Sequence, residues 1–330
     1  MKLAERRPGK VWSATRRGAV FRPAARPLTI LAAFLIATPA FAADDEGPHQ
    51  AAGFDIFGSS DADHFQVVKT GLSYFPDYEN TQKYWGARLE HFIFSSDTGG
   101  SGHAERGFIS LADSIGSWNY GGTVGTDGQT ILGAGSIFTQ GFLGKDSIRQ
   151  EYFLNRDLVE TPKGFNRGLY FTYLGGSYDI PLDDRNTVTA LVGAQVFSGK
   201  NYRLIGRSNY IYVLDPDLGL SLQFRAKYFW DSLPREFDYF SPRWYMEGVP
   251  TVQMRRFYQR WQFVVAAGYG ARRNNGAPWQ GAGLAQVSII SPRFGSNWVI
   301  DTSFLYSNQP IVQSNTYSYE QATISLIRRF

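Results

Sequence analysis

The stretch Asp217-Leu-Gly-Leu-Ser-Leu-Gln-Phe-Arg-Ala-Lys-Tyr-Phe-Trp230 alternates along its whole length. Its even positions are Leu218, Leu220, Leu222, Phe224, Ala226, Tyr228 and Trp230, and its odd positions are Asp217, Gly219, Ser221, Gln223, Arg225, Lys227 and Phe229. Successive side chains of a strand point to opposite faces, so this pattern describes a strand with one apolar and one largely polar face. Strands of globular proteins run to about 5–6 residues, whereas a tilted strand crossing a bilayer needs about 9–11. The segment has the spanning length, and its aromatic residues gather at one end, where amphipathic rings favour a membrane interface.

Working outward, the same period recurs. Residues 257–269 set Phe257, Trp261, Phe263, Val265, Ala267 and Tyr269 against Arg260, Gln262 and Gly268. Residues 186–197 set Val188, Ala190, Val192, Ala194 and Val196 against Thr187, Thr189 and Gln195. Residues 297–306 set Trp298, Ile300, Phe304 and Tyr306 against Asn297, Asp301 and Ser303. Weaker candidates lie near 53–58, 65–75, 84–95, 104–113, 117–125, 129–139, 147–155, 166–179, 201–213, 241–254, 280–290 and 318–330. Turn-forming runs such as Asp97-Thr-Gly-Gly-Ser-Gly102, Asp183-Asp184, Asp215-Pro216 and Asn274-Asn-Gly276 separate many of them. The expected fold is all-β: a single transmembrane antiparallel up-and-down barrel over 53–330, with 16 strands expected and 14 the alternative.

Composition removes several other classes. There are no cysteines, hence no disulfide framework and no thiolate site. The histidines are His49, His64, His91 and His103, without the helical spacing of a zinc protease, and no metal or cofactor is expected. The net charge of +4 is unevenly placed. Residues 1–42 carry Lys2, Arg6, Arg7, Lys10, Arg16, Arg17, Arg22 and Arg26 against Glu5 alone, which leaves the remainder net acidic and removes the reason to expect nucleic-acid binding.

That basic leader runs into the apolar stretch Leu28 to Ile36 and then Ala40-Phe41-Ala42, the layout of a secretory signal cleaved near Ala42. A short disordered lead-in is expected over 43–52. Beyond residue 43 no apolar run reaches the ~18–20 residues of a spanning helix. At the other end Phe330 closes a strand whose alternate residues are Arg328, Leu326, Ile324 and Ala322. Such a terminal strand resembles the signal read by the bacterial barrel-assembly machinery, with Phe330, Leu326 and Ile324 as its apolar face and Arg328 as a departure from the usual apolar residue. These features together imply an outer-membrane location in a Gram-negative bacterium, with the assembly machinery and membrane lipids as partners.

The order Asp238-Tyr-Phe-Ser-Pro-Arg-Trp-Tyr245, Arg255-Arg256, Trp261, Gly268-Tyr-Gly-Ala-Arg272, Trp298, Leu305-Tyr-Ser-Asn308 and the final Arg-Phe resembles the barrel domains of exopolysaccharide export porins, those of poly-N-acetylglucosamine and cellulose systems. The resemblance covers roughly 235–330. It implies a channel that guides a glycan across the outer membrane, with a role in biofilm formation. Those exporters carry tetratricopeptide repeats before the barrel; here residues 43–52 stand in that place, which implies either a separate periplasmic scaffold of a synthase complex or a different task.

A glycan channel needs polar groups for sugar hydroxyls and aromatic platforms for sugar faces. The inward candidates are Arg88, Glu90, Gln223, Arg225, Lys227, Arg260, Gln262 and Asp301. Arg225 and Lys227 stand out, because two like charges on one strand face require partners or a solvated channel. Tyr239-Phe240-Ser241-Pro242 reads as a strand start or bulge with its rings in an interface girdle. No nucleophile motif is present, and His91 shares the face of Trp85, Leu89 and Ile93, so no enzyme is expected. A non-conducting structural or adhesion barrel and a general nutrient porin are the alternatives to secretion.

Overall fold

The computed structural model describes residues 49–62, 64–97, 100–139, 148–292, 297–308 and 318–330. The leader and its cleavage site lie outside these residues.

Sixteen strands follow one another. They begin β1 (Ala51–Asp61), β2 (Gln66–Asn80), β3 (Lys83–Ser96), β4 (Gly100–Ile115), β5 (Trp118–Thr126) and β6 (Ile131–Thr139). Next come β7 (Arg149–Leu158), a short helix α1 (Pro162–Arg167), β8 (Tyr170–Pro181), β9 (Asn186–Phe197), β10 (Tyr202–Asp215) and β11 (Leu220–Asp231). The last are β12 (Trp244–Tyr258), β13 (Trp261–Asn274), β14 (Gln280–Ile290), β15 (Trp298–Ser307) and β16 (Tyr319–Arg329). Each strand pairs antiparallel with its chain neighbours, and β1 pairs with β16 to close the barrel. The expected architecture is the observed one. The sixteen expected strands are found, β9 and β14 on the expected residues and the others with shifted bounds, and Ala51 and Ala52, expected in the lead-in, pair in β1.

The two faces of the wall differ as two solvents require. Outward positions carry Leu72, Leu89, Ile109, Val124, Leu174, Val192, Leu222, Val252, Phe304 and Ile324, all exposed. Leu89 is 71% exposed; apolar surface of this extent around a closed sheet is covered by lipid. Exposed aromatics sit toward both ends: Trp85, Tyr258, Trp298 and Phe330 near the end that holds the termini, Tyr202, Tyr228 and Trp279 near the other. Strand lengths from 9 residues in β5 to 16 in β4 suffice to cross. Arg328 also faces outward, with its guanidinium 5.3 Å from the Trp298 ring centre, so the charge at that position rests on an interface ring.

Two readings are corrected by the β12–β13 turn. Residues 257–269 are not one strand: Gln259 and Arg260 form a two-residue turn, with φ of 47° and 67°. Arg260 therefore lies at the rim and not in the lumenal wall. A two-residue hairpin loop pairs residues three apart, so parity switches across it. Phe257 is in register with Gln262, on the face opposite to Trp261 and Phe263.

Candidate functional site

Inward side chains of β1, β3, β4 and β7 form a continuous chain of ion pairs. Arg88 reaches over β2 to Asp55 on β1, Nε to Oδ1 at 3.0 Å and Nη2 to Oδ2 at 2.6 Å. It also pairs with Glu90 on its own strand, Nη1 to Oε2 at 2.7 Å. Glu90 Oε1 lies 3.3 Å from Arg106 Nη1, which is 3.5 Å from Asp157 Oδ1. Nearby, Lys69 Nζ donates to Glu160 Oε1 at 2.7 Å. Glu90 and Arg106 are buried, and charges removed from water require such partners. The fork from Arg88 is possible because Gly71 intervenes: a Cβ there would lie 2.5 Å from Asp55 Oδ1 and 2.6 Å from Arg88 Nε.

Beside this network the wall recedes. Small inward residues on β4–β6, among them Ser110, Gly121, Thr123, Ala134 and Ser136, leave two cavities of about 660 Å³ each that share Tyr84, Gly121 and Ser136 in their linings. Together they form a lumenal groove running from Lys69, Arg88, Arg106 and Phe108 to Gln82, Asn119, Phe138 and Arg149. It offers charged and amide groups with rings between them.

The wall of β10–β13 has a different balance. Arg225 donates to the amide oxygens of Gln223 at 3.1 Å and Gln253 at 3.4 Å. Lys227 lies 5.6 Å and 5.7 Å from the ring centres of Phe229 and Tyr245. The register sets Arg207, Lys227, Glu247 and Arg272 side by side across four strands. Glu247 accepts from the Tyr245 hydroxyl.

At the barrel end away from the termini, two loops fold inward. Residues 159–169 place Phe165 against Phe92 at 4.6 Å, Phe94 at 5.0 Å and Phe65 at 5.8 Å. α1 starts on a Thr161 cap whose Oγ1 accepts from Gly164 N, followed by Pro162, and ends at Gly168 in the left-handed conformation. Residues 232–243 place Tyr239 flat on Phe197, ring centres 4.2 Å apart, and Phe240 edge-on to Phe229 and Tyr245. Asn201, buried, binds both Asp231 Oδ1 at 2.8 Å and the Tyr239 hydroxyl at 3.0 Å, while Glu236 accepts from the backbone of Lys200 and Asn201. Burial raises the Tyr239 hydroxyl pKa above its ordinary value, so it stays a neutral donor and acceptor. The expectation of an interface girdle for Tyr239 and Phe240 is thus corrected: both rings fill the mouth.

Of the expected lumenal residues, Arg88 and Glu90 join one wall, and Gln223, Arg225 and Lys227 the other. Gln262 faces inward on β13, Asp301 is inward and exposed on β15, and Arg260 is at the rim. Phe330, Leu326 and Ile324 belong to the closing strand and its end, and the Phe330 amide donates to Gln50 O at 2.9 Å. His91 points outward, its Nδ1 2.6 Å from Glu105 Oε1 and its ring 6.3 Å from that of His103. Sequence reasoning missed Asp55, Lys69, Arg106, Asp157, Arg207 and Arg272. Arg106 was findable as an even position between Ala104 and Phe108; the others become legible only with the register.

A closed antiparallel barrel with a lipid-facing apolar belt and a charged, ring-lined interior is a transmembrane barrel of the outer-membrane type. No protein-family model matches the chain. No curated protein matches it either. Among solved structures, a bacterial polysaccharide outer membrane secretin aligns with a TM-score of 0.62 at 13% identity, over 86% of this chain and 99% of that one. OccK7 (OpdD) of Pseudomonas aeruginosa aligns at 0.42 and 8% identity over 85% and 97% of the chains, and OprD of the same organism at 0.42 and 9% over 86% and 96%. At 13% identity the likeness to the secretin is one of fold.

Proposed function

We propose that the protein is an outer-membrane channel for exopolysaccharide secretion, its lumen guiding a glycan chain across the membrane. The observation that carries this reading is the continuous lumenal groove beside β3–β7, where Arg88, Asn119, Gln82 and Arg149 supply hydrogen-bonding groups and Tyr84, Phe108 and Phe138 supply rings. The fold shared with a polysaccharide secretin supports it. Short turns in such barrels face the periplasm, so the end bearing the termini and the Gln259-Arg260 turn would receive the glycan, with a separate periplasmic scaffold delivering it. The inward loops 159–169 and 232–243 then form an outer gate.

Those same loops favour a second reading, a barrel closed at its mouth that serves a structural or adhesive role. Single-channel recording of refolded protein in planar bilayers decides between them. Secretion predicts resolvable open states whose current is interrupted by added oligosaccharides. Lack of any open state, with folded barrel shown by heat-modifiable gel mobility, would remove the channel reading. A membrane glycosyltransferase encoded beside this chain is the genomic signature that secretion predicts.

A further inference from the structure

The two lumenal walls do not balance their charges in the same way. Around β1–β4 and β7 the cations Lys69, Arg88 and Arg106 are each within 4.0 Å of a carboxylate: Glu160 for Lys69, Asp55 and Glu90 for Arg88, Glu90 and Asp157 for Arg106. Across β10–β13 the register aligns Arg207, Lys227, Glu247 and Arg272 in one row, with Arg225 at the next inward position of β11. Glu247 is the one carboxylate in that row, and it also takes the Tyr245 hydroxyl. Arg225 is steadied by the neutral amides of Gln223 and Gln253, and Arg207 is exposed to the lumen. Adjacent strands are about 4.8 Å apart, so cations crowd on a small area of wall.

Each wall also buries a guanidinium with two donors that no hydrogen bond takes among the described residues, Arg106 Nε and Nη2 in the first and Arg272 Nε and Nη1 in the second, but only the second sits in a row with surplus cations. Arg272 is 5% exposed. Like charges set side by side cost free energy that an anion in the lumen would offset. Arg presents a planar fork suited to carboxylate. Toward the mouth the surplus ends, because Arg203 is neutralised by Asp231, Nε to Oδ1 at 3.0 Å.

We infer that the β10–β13 wall is a binding track for a negatively charged glycan, its carboxylate-bearing sugars passing over Arg207, Arg225 and Lys227, with buried Arg272 adding its charge from within the wall. The inference deepens the secretion reading and rests on it. It excludes a cationic amino-sugar polymer as the preferred cargo, because such a chain would meet like charge along this wall.

The test uses refolded protein in planar bilayers, with oligogalacturonate, cello-oligosaccharide and chitosan oligosaccharide of equal length as probes. The track predicts anion-selective reversal potentials and current blockades by oligogalacturonate at concentrations lower by roughly 10-fold or more than for the neutral probe. The triple variant Arg207→Gln, Arg225→Gln, Lys227→Gln, with folding verified by heat-modifiable mobility, should lose that preference. Equal blockade by the neutral probe, stronger blockade by chitosan, or an undiminished preference in the variant would overturn the track. Absence of conductance would instead defeat the channel reading. In that event calorimetric titration of the detergent-solubilised barrel with oligogalacturonate still decides whether the track binds anions, no heat of binding counting against it.

Discussion

Asp238 braces the Thr161 cap of α1, 77 residues before it in the chain: its Oδ1 accepts from Thr161 Oγ1 at 2.8 Å and its Oδ2 from Lys163 N at 2.8 Å. One carboxylate thereby ties the two inward loops together over the mouth. Asp238→Ala removes both bonds and leaves the first turn of α1 with Thr161 alone. Loss of a cap costs about 1 kcal/mol, too little to unfold a barrel but enough to change a loop equilibrium several-fold. The variant should fold normally, become cleavable within 159–169 and 232–243 under limited proteolysis, and show longer open dwell times in single-channel records.

Gly71 is occupied, in effect, by the Arg88–Asp55 fork. Gly71→Val should displace it and leave Asp55 and Glu90 without their shared partner, lowering stability by about 1–3 kcal/mol in urea titrations of refolded protein. Gly58 on β1 is the control, because nothing lies within 4 Å of a Cβ built there. Gly58→Ala should stay within about 0.5 kcal/mol of the parent.

The Gln259-Arg260 turn holds two ordinary residues at positive φ, a geometry that favours Asn-Gly. The double change Gln259→Asn, Arg260→Gly should stabilise the barrel by about 0.5–2 kcal/mol in the same titration. It should leave ion selectivity unaltered, as expected of a rim position.

Asp183, in the β8–β9 turn, accepts from the backbone of Arg185 and Asn186 and from the Asn186 side chain, each at 2.8 Å. The Arg185 amide leads in holding its carboxyl below the ordinary carboxylate value. A depressed folded pKa means a contribution that is present above the unfolded value, ~3.9, and lost as pH falls through the folded value. Amide exchange at Arg185 and Asn186 should therefore stay protected as pH falls through the ordinary carboxylate value and lose protection only below it, and Asp183→Ala should abolish that pH dependence.

Most of the architecture was legible because a barrel wall separates two solvents. Lipid outside and water inside impose alternation over a full crossing, so Leu218 to Trp230 declares its faces without reference to any other residue. Arg260 and Phe257 were misplaced because a two-residue turn hides inside an unbroken alternating run, and only the positive φ values reveal it. The mouth was illegible for another reason. Tyr239 and Phe240 have the same chemistry at an interface or folded inward, and what decides is Phe197 and Asn201, some forty residues away. Arg225 and Lys227 were recognisable as crowded cations. That Arg207 stands beside them and Arg272 one strand further depends on registers that no local pattern encodes.

The β1–β16 seam has a consequence for biogenesis. Every residue from Ala51 to Asp61 is paired with one between Tyr319 and Arg329, the longest sequence separation the fold contains. Closure is thus a property of the whole chain and cannot be approached piecemeal. Before β16 is available, β1 and β15 are bare edges, ready to pair with another copy. Loss of β16 would yield an adhesive open ribbon rather than a narrower pore, and so the chain must be shielded in transit until its two ends meet.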